Sequence, residues 1–342
     1  MSKVYLITGG AGFIGTNYVM RLLNREEQVI VYDNLSRKGA KINLEWLKNQ
    51  FGDDSFRFIQ NDIRNRDALQ EAVKSVDVII HLAAQVAVTS SVENPREDFE
   101  INALGTFNVM EAARLSKRNP IIIFSSTNKV YGCMDDLIIE ERATRYAFSN
   151  LPYGVSEERP LDFHSPYGCS KGCGDQYVRD YSRIYQIPAV VFRQSCIYGP
   201  HQFGIEDQGW VAWFVISANL NRPITIFGDG KQVRDLLHVD DLLSAYDHAI
   251  ERIDHCSGKI FNIGGGIENT LSIWKEFQPI LEGLLSKSIS VNHHGWRSGD
   301  QRVFISDIRR AQEILNWYPK INVQSGIKLL NKWVQENLSL FR

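Results

Sequence analysis

Tyr167 and Lys171, separated by three residues, are the side chains of this sequence best suited to moving a proton. Residues four apart lie on one face of a helix, so the lysine ammonium could lower the tyrosine pKa from its reference value of about 10. A phenolate formed in this way could deprotonate a sugar hydroxyl near neutral pH. The spacing alone is also typical of a packed ring beside a solvated lysine, and the surrounding elements must decide between these interpretations.

The pair lies in a predicted helix over Pro166–Tyr185, because Ser165 suits the N-cap and Pro166 the first helical position. From the start of the sequence to about residue 193, short β-branched apolar runs alternate with segments in which apolar residues recur every three to four positions. The candidate strands are Val4–Thr8, Val29–Asp33, Phe56–Gln60, Val76–Leu82, Pro120–Ser125 and Ala189–Arg193. The other candidate helices are Phe13–Asn24, Arg66–Lys74 and Pro95–Leu115. This alternation predicts an α/β fold with a Rossmann-type, doubly wound parallel sheet.

The pattern changes after about residue 194, where aromatic and Gly/Pro-rich turns predict a smaller, more irregular region. The run Lys259–Ile263, followed by three glycines, predicts one more strand that returns to the main sheet. We therefore expect a dinucleotide-binding domain over residues 1–193 plus 235–265. A smaller α/β substrate-binding lobe is expected over residues 194–234 plus 266–342.

Charge and composition indicate a small-molecule partner. The 342 residues include 38 basic and 40 acidic side chains, with a net charge of −2 and no block of like charges, so no nucleic-acid or membrane partner is expected. No apolar run approaches about 20 residues and no leader is apparent, which favours a cytoplasmic protein. Five cysteines without paired C-x-x-C spacing favour free thiols; Cys169 and Cys173 fit packing better than a metal site, and no metal is expected.

A Gly-rich turn follows the first predicted strand and begins the first helix. Gly9, Gly12 and Gly15 give the spacing G-x-x-G-x-x-G, which lets the backbone approach a pyrophosphate at the helix N-terminus. The alternative interpretation is a Gly-rich turn that packs the helix on the sheet and binds no ligand.

Asp33, at the end of the second predicted strand, strengthens the nucleotide interpretation. An acid at this offset can accept hydrogen bonds from the adenosine ribose hydroxyls and repel a 2′-phosphate, which favours NAD over NADP. Arg37 and Lys38 leave NADP open, and the alternative for Asp33 is an acid of a surface turn.

Together these residues resemble the extended short-chain dehydrogenase/reductase family of nucleotide-sugar enzymes, over essentially the whole chain. Further family-like segments are Asp62-Ile63, His81–Gln85, Asn102 and Ser125–Thr127. The resemblance implies an NAD cofactor. The cofactor-binding residues that it implies are Gly9, Gly12, Phe13, Ile14, Gly15, Asp33, Asn34, Ser36, Arg37, Asp62, Ile63, Leu82, Ala83, Ala84, Gln85, Asn102, Ser125, Tyr167, Lys171 and Gln194.

The resemblance also makes Thr127 the third member of a catalytic set with Tyr167 and Lys171. The Thr127 hydroxyl would align the substrate oxygen that Tyr167 deprotonates, whereas the alternative is a backbone cap at a strand end. Related 4,6-dehydratases carry an Asp-Glu pair immediately after this threonine. Here the two positions are Asn128 and Lys129, which cannot supply that acid and base, so dehydration is not expected.

Residues 33–40, 127–132, 162–172 and 207–210 resemble a subgroup of the family that acts at C2 of a CDP-dideoxyhexose. This resemblance implies a CDP-sugar substrate that is oxidised to a 2-keto sugar and reduced on its other face, in a homo-oligomer (dimer or tetramer). The implied substrate-binding residues are Gln85, Thr127, Asn128, Lys129, Gln194, Gln232, Arg234, Arg297 and Asp300.

Two positions on the substrate side stay open. Arg302 fits a surface ion pair as well as a ligand contact. Cys196 occupies a position where many relatives have a phosphate-contacting asparagine, and Gln194 or backbone groups could replace it, since a thiol is a weak donor. The alternative functions are a UDP-sugar epimerase acting at C4, a net NAD(P)-dependent reductase and a non-catalytic NAD-binding regulator.

Overall fold

Fifteen strands are found in the computed structural model, which describes residues 2–297 and 300–342. In chain order the strands are β1 (Val4–Thr8), β2 (Gln28–Asp33), β3 (Arg57–Gln60), β4 (Val78–His81), β5 (Ile121–Thr127), β6 (Ile139–Glu141), β7 (Tyr146–Phe148), β8 (Ala189–Gln194), β9 (Cys196–Tyr198), β10 (Ile224–Phe227), β11 (Val233–His238), β12 (Ile260–Ile263), β13 (Thr270–Ser272), β14 (Val291–His294) and β15 (Val303–Phe304). Met1, Ser298 and Gly299 fall within the predicted domain ranges but lie outside the described residues.

Thirteen α-helices connect and flank these strands in the same described ranges. They are α1 (Phe13–Leu23), α2 (Ala40–Phe51), α3 (Arg66–Val73), α4 (Val88–Glu93), α5 (Pro95–Phe99), α6 (Gly105–Leu115), α7 (Pro166–Tyr185), α8 (Trp210–Asn219), α9 (Val239–Glu251), α10 (Ile253–Cys256), α11 (Phe277–Leu285), α12 (Arg309–Leu315) and α13 (Val323–Glu336). Short 3₁₀ turns cover Asn128–Tyr131, Ile267–Asn269 and Leu338–Phe341.

Seven strands form the main sheet in the order β12-β8-β5-β4-β1-β2-β3, and every neighbouring pair is parallel. The six strands predicted from apolar runs are all present, and the run ending at Ile263 joins the sheet at its edge beside β8. The predicted Rossmann-type fold is therefore confirmed. Helix α2 was not predicted.

Each face of the main sheet is covered by its own apolar core, as expected for a parallel sheet with crossover helices on both sides. Helices α1, α2 and α9 pack on one face, where α12 also contributes Ala311 and Leu315. Helices α3, α6 and α7 pack on the other. The two layers fix the carboxyl ends of the strands at one edge of the sheet, where ligands of such folds bind.

A third apolar core is formed by the segment that follows β8 together with residues near the C-terminus. Val211 of α8, Phe277 of α11 and Ile327 of α13 belong to it. Small sheets surround it: β11 pairs with β13, β15 and β9, and β10 pairs with β14. The division into two domains with the boundaries given above stays a prediction.

The predicted helix over Pro95–Leu115 is interrupted by one wide turn. Helix α5 passes into a π-helical turn at Glu100–Leu104, and α6 continues from it. Such single π turns commonly occur at functional sites. Asn102, a predicted cofactor residue, lies in this turn.

None of the helices in the described part of the chain has the length and apolar character needed to cross a membrane.

Candidate active site

Thr127, Tyr167 and Lys171 converge at the carboxyl end of the main sheet. Thr127 ends β5, and the other two lie in the first turns of α7, which begins at Pro166 with Ser165 accepting a hydrogen bond from the Gly168 N–H at 3.0 Å. All three line one cleft of about 520 Å³. The cleft encloses its polar groups well, since Tyr167 is only 8% exposed and Lys171 only 3%.

Lys171 is held away from bulk water by two contacts. Its Nζ donates to the Ser125 carbonyl oxygen at 2.5 Å and lies 4.4 Å from the centre of the Phe124 ring. Burial lowers the pKa of Lys171 to about 7, against the opposing effects of Asp175 and Asp98. The ammonium is therefore only partly charged at neutral pH.

The pKa of Tyr167 moves in the direction opposite to the sequence-based expectation. Burial raises it to about 12, and a hydrogen bond with Thr127 offsets only part of this effect. The expectation of a lowered phenol pKa was wrong for this structure, because burial disfavours the phenolate and also weakens the positive charge of Lys171.

The glycine turn forms a cradle that side chains would fill. A Cβ on Gly9 would lie 2.8 Å from the Ala83 nitrogen, and one on Gly15 would lie 2.6 Å from the Cα of Gly10. Helix α1 begins after Gly12, which offers its first-turn N–H groups no capping side chain. Free N–H groups at a bare, closely approachable helix end fit the pyrophosphate of a dinucleotide.

Asp33 and its neighbours line the end of the cleft where the adenosine ribose is predicted to bind. The Asp33 carboxylate accepts hydrogen bonds from the backbone N–H of Ala11 at 3.0 Å and of Leu35 at 2.8 Å. These bonds oppose burial, which raises the Asp33 pKa. Arg37, one of the two basic residues that could favour NADP, donates a hydrogen bond to the Gln208 side chain at 2.7 Å.

Asp62 lies beside this end of the cleft and is strongly ionised. Its carboxylate accepts from Asn34 at 2.8 Å and from Arg64, whose hydrogen bonds lower the Asp62 pKa to about 2. Next to it, Ile63 packs so closely on Gly105 that a Cβ there would meet its Cδ1. These contacts fix the wall at which the predicted adenine contacts lie.

The segment after β4 is fixed from behind by buried polar groups. Gln85 donates its backbone N–H to Asn102 at 3.0 Å and its side-chain amide to Asp98 at 2.9 Å. Asn102, from the π turn, donates to the Gln85 carbonyl at 2.9 Å and to Asp98 at 3.0 Å. Asn102 thus supports the cleft wall and does not line the cleft, whereas Gln85 does.

Most predicted site residues line one cleft. Apart from Asn102, all the predicted cofactor residues do so, and Gln85, Thr127 and Gln194 of the predicted substrate set join them. The remaining predicted substrate residues do not line this cleft: they are Asn128, Lys129, Gln232, Arg234, Arg297 and Asp300. The individual binding roles stay predictions.

Lys129, Arg234 and Asp300 form a separate charged group next to Thr127. Arg234 donates to the Asp300 carboxylate at 2.7 Å. Burial and the charge of Arg234 lower the pKa of Lys129, and Asp300 opposes them. The group thus contains two basic side chains and one acid, and the acid is paired with Arg234. Cys196 lies close enough to raise the Lys129 pKa slightly against these effects. Burial raises the pKa of the Cys196 thiol.

Arg297 and Gln232 meet elsewhere, at Phe227. The Arg297 guanidinium lies 3.9 Å from the centre of the Phe227 ring and 3.1 Å from the Asp207 carboxylate. Gln232 donates to the Phe227 carbonyl at 2.6 Å. Arg302 lies over aromatic rings, with its Cζ 5.3 Å from the centre of the Tyr146 ring.

A buried network behind the catalytic set was missed by the sequence reasoning. Asp175 accepts from Ser126 at 2.9 Å and forms an ion pair with Arg193 at 2.9 Å. Arg193 also donates to the Tyr131 hydroxyl at 3.1 Å. The available signal was the position of Asp175, one helical turn after Lys171 on the same face.

The chain belongs to the NAD dependent epimerase/dehydratase family, which matches residues 5–264. It is 44% identical over 335 residues to a CDP-paratose 2-epimerase of Salmonella typhi, covering 96% of this chain and 98% of the relative. It is 35% identical to a putative UDP-glucose 4-epimerase of Methanocaldococcus jannaschii, covering 97% and 98% of the two chains.

A solved structure also matches the chain over nearly its whole length. It is a UDP-glucuronic acid 4-epimerase of Bacillus cereus in complex with UDP-glucuronic acid and NAD, with a TM-score of 0.83 and 28% identity over 98% of this chain and 99% of that one. These similarities confirm the predicted family, the NAD cofactor and the class of enzyme, a nucleotide-sugar epimerase and so an isomerase.

Proposed function

We propose that the protein inverts C2 of a CDP-3,6-dideoxyhexose, converting CDP-paratose to CDP-tyvelose through a transient 2-keto sugar. The observation that carries the chemistry is the buried Thr127, Tyr167 and Lys171 set in one cleft with the glycine cradle. The CDP-paratose 2-epimerase of Salmonella typhi, 44% identical over nearly the full length, supports the substrate.

An unactivated secondary alcohol has no acidic hydrogen on carbon, so inversion needs oxidation and re-reduction of that carbon. Bound NAD would supply the hydride acceptor for oxidation at C2 and the hydride donor for reduction on the other face of the sugar. The glycine turn would hold its pyrophosphate and Asp33 its adenosine ribose. The cradle that a Cβ would fill and the uncapped end of α1 fit this group.

The protein's own groups move the hydroxyl proton. Tyr167 takes the proton from the C2 hydroxyl and later returns it, while the Thr127 hydroxyl aligns that oxygen. Protonated Lys171 makes the phenolate less unfavourable, which matters because burial raises the Tyr167 pKa to about 12. Burial of all three residues keeps water away from the transferred proton.

Elimination of water is disfavoured at this site. The two residues after Thr127 are Asn128, an amide, and Lys129, whose ammonium lies near Arg234. Neither supplies the carboxyl pair that a dehydratase uses to remove and donate protons. Epimerisation therefore fits the side chains better than dehydration does.

The substrate diphosphate would bind at the positive group of Lys129 and Arg234, with Arg297 as a further donor. Guanidinium groups stay charged and present paired donors to phosphate oxygens. Asp300 holds Arg234 at 2.7 Å, so it orients that guanidinium. A firmly held diphosphate lets the keto sugar turn over without escaping.

The competing function is epimerisation of a UDP-sugar at C4, favoured by the names of the Methanocaldococcus jannaschii and Bacillus cereus relatives. Incubation with CDP-paratose, UDP-glucose and UDP-galactose in separate reactions, in D₂O, distinguishes the two by proton NMR of the products. We expect inversion at C2 of CDP-paratose with no deuterium at C2. Turnover of the UDP-sugars alone would refute CDP-paratose as the substrate. Deuterium at C2 of the product would refute inversion by hydride transfer.

Tyr167→Phe tests the assigned base. We expect a loss of activity of about 10²–10⁴-fold, the usual contribution of a general acid–base residue, with NADH binding retained. The matched control is Tyr177→Phe on the same helix, because Tyr177 is exposed. Equal activity of the two variants would refute the role of Tyr167.

The proposal also includes synthesis of sugars for surface polysaccharide (O-antigen), a cytoplasmic location and a homo-oligomer. Five free cysteines support a reducing compartment. Sedimentation of the purified chain would give the oligomeric state.

A further inference from the structure

A second cleft opens at the β12 edge of the main sheet. It has a volume of about 520 Å³ and shares no lining residue with the candidate active site. Its walls come from α7, the segment 157–161, the start of β12 and α12. We call it the edge cleft, and its charged lining residues are Glu157, Glu158, Arg159, Arg179, Arg193, Lys259 and Arg310.

Three of the five cations in the edge cleft already have carboxylate partners. Arg193 is paired with Asp175 at 2.9 Å, on the inner side of the cleft. Arg310 contacts the carboxylates of Glu157 and Glu158, which uses both acids of the lining. Arg159 is paired with Asp136. These three arginines are thus matched by four carboxylates, so the paired groups leave no positive charge over.

Arg179 differs from these arginines. Among the residues that the structure describes, no carboxylate lies within ion-pair distance of its guanidinium, and its buried Nε has no hydrogen-bond partner. Burial and the neighbouring arginines Arg183, Arg193 and Arg310 lower the Arg179 pKa, and the Asp175 carboxylate opposes them. Lys259, on the exposed side of the same cleft, is the other cation with no carboxylate partner in the described chain.

The half-buried Arg179 side chain offers its unpartnered Nε and its charge to an anion. A guanidinium does not lose its proton in proteins, so the repulsion among the arginines cannot be relieved by deprotonation. A buried N–H without an acceptor is destabilising. An anionic group would supply an acceptor for Nε and would lie between the two unpaired cations, Arg179 and Lys259.

We propose that the edge cleft is a second binding site, specific for the phosphate or diphosphate group of a small molecule, with Arg179 and Lys259 as its principal ligands. Phosphate matches the forked donors of a guanidinium and the compact charge of an ammonium. The proposal does not depend on which sugar the active site uses.

Binding of inorganic pyrophosphate to the full chain tests the site. The active site is first filled with NADH and CDP, or with NADH and UDP in a parallel arm, and the ionic strength is held constant with NaCl. Isothermal titration calorimetry then measures pyrophosphate, with inorganic phosphate and sulfate as comparisons. We expect saturable binding of pyrophosphate that is tighter than that of sulfate.

Arg179→Gln should weaken this binding at least about tenfold, the effect of losing one charge-assisted partner. Arg183→Gln is the matched control, since Arg183 is on the same helix but does not line the cleft, and it should change binding less than about twofold. Lys259→Gln, at an exposed position, gives an independent loss if Arg179→Gln folds poorly. The absence of saturable binding to the filled enzyme, or unchanged binding in the Arg179 or Lys259 variant, would overturn the proposal.

Discussion

Lys171 should destabilise the folded protein while serving the reaction, and replacing it with methionine tests this directly. Burial lowers its pKa from 10.5 to about 7. At about 1.4 kcal/mol for each pH unit, this corresponds to about 5 kcal/mol of folding free energy at or below pH 7. The residue is only 3% exposed, so solvent screens little of this effect.

The sign of the pH dependence follows from the two proton-binding states. Between pH 7 and 10.5 the unfolded chain keeps the Lys171 proton that the folded protein has lost, so the contribution of Lys171 to the free energy of unfolding rises as pH rises through this window. Lys171→Met removes this dependence and the 2.5 Å bond to the Ser125 carbonyl, which offsets about 1–3 kcal/mol. We expect the variant to be more stable by about 2–4 kcal/mol at pH 7, with an advantage that shrinks by at least about 2 kcal/mol at pH 10.

Urea unfolding of the NAD-free protein, followed by tryptophan fluorescence at pH 7, 8, 9 and 10, measures this difference. Lys328→Met is the control, because Lys328 is exposed on α13, and its difference from wild type should not change with pH. The variant at Lys171 should also lose epimerase activity. A stability difference that stays constant from pH 7 to pH 10 would refute the reasoning.

Three further predictions concern the cradle, the ribose acid and the buried ion pair. Gly15→Ala should abolish measurable NADH binding in a fluorescence titration, because its Cβ would lie 2.6 Å from the Cα of Gly10; normal binding would show that the turn is not tightly constrained. Asp33→Ser should raise NADPH affinity relative to NADH at least about tenfold, because the carboxylate that repels a 2′-phosphate is gone; an unchanged ratio would contradict its role. Arg193→Met should lower the free energy of unfolding by about 3–5 kcal/mol, because Asp175 becomes an unpaired buried charge, and adding Asp175→Asn should restore part of the loss in urea unfolding.

Local sequence signals predicted the cofactor half of the cleft well. The glycine spacing, Asp33 after a strand and the N-cap Ser165 each depend on a few consecutive residues, and all lie where the pattern placed them. Helix α2 was missed because six of its twelve residues are polar and its apolar face is narrow. The π turn was invisible to helical periodicity, since one extra residue in a turn leaves the pattern of apolar positions nearly unchanged.

The charged half of the site depends on contacts between distant segments. Lys129, Arg234 and Asp300 are more than 60 positions apart in the sequence but lie close together in the fold. No spacing pattern in the sequence predicts this proximity. The pKa of Tyr167 was predicted in the wrong direction because it is set by desolvation, which depends on how deeply α7 packs against β5. The spacing of Tyr167 and Lys171 predicts only the interaction between their charges, and it carries no information on desolvation.

The order of strands in the main sheet has a consequence for synthesis on the ribosome. Strand β8 ends at Gln194, but its edge is not covered until β12 is complete at Ile263, 69 residues later. At about 5–20 residues per second, the nascent chain carries an unpaired edge strand, apolar over its first four residues, for roughly 3–14 seconds. An open edge of this kind invites pairing with other chains, so chaperones that hold nascent polypeptides should bind this protein most strongly between the emergence of β8 and that of β12.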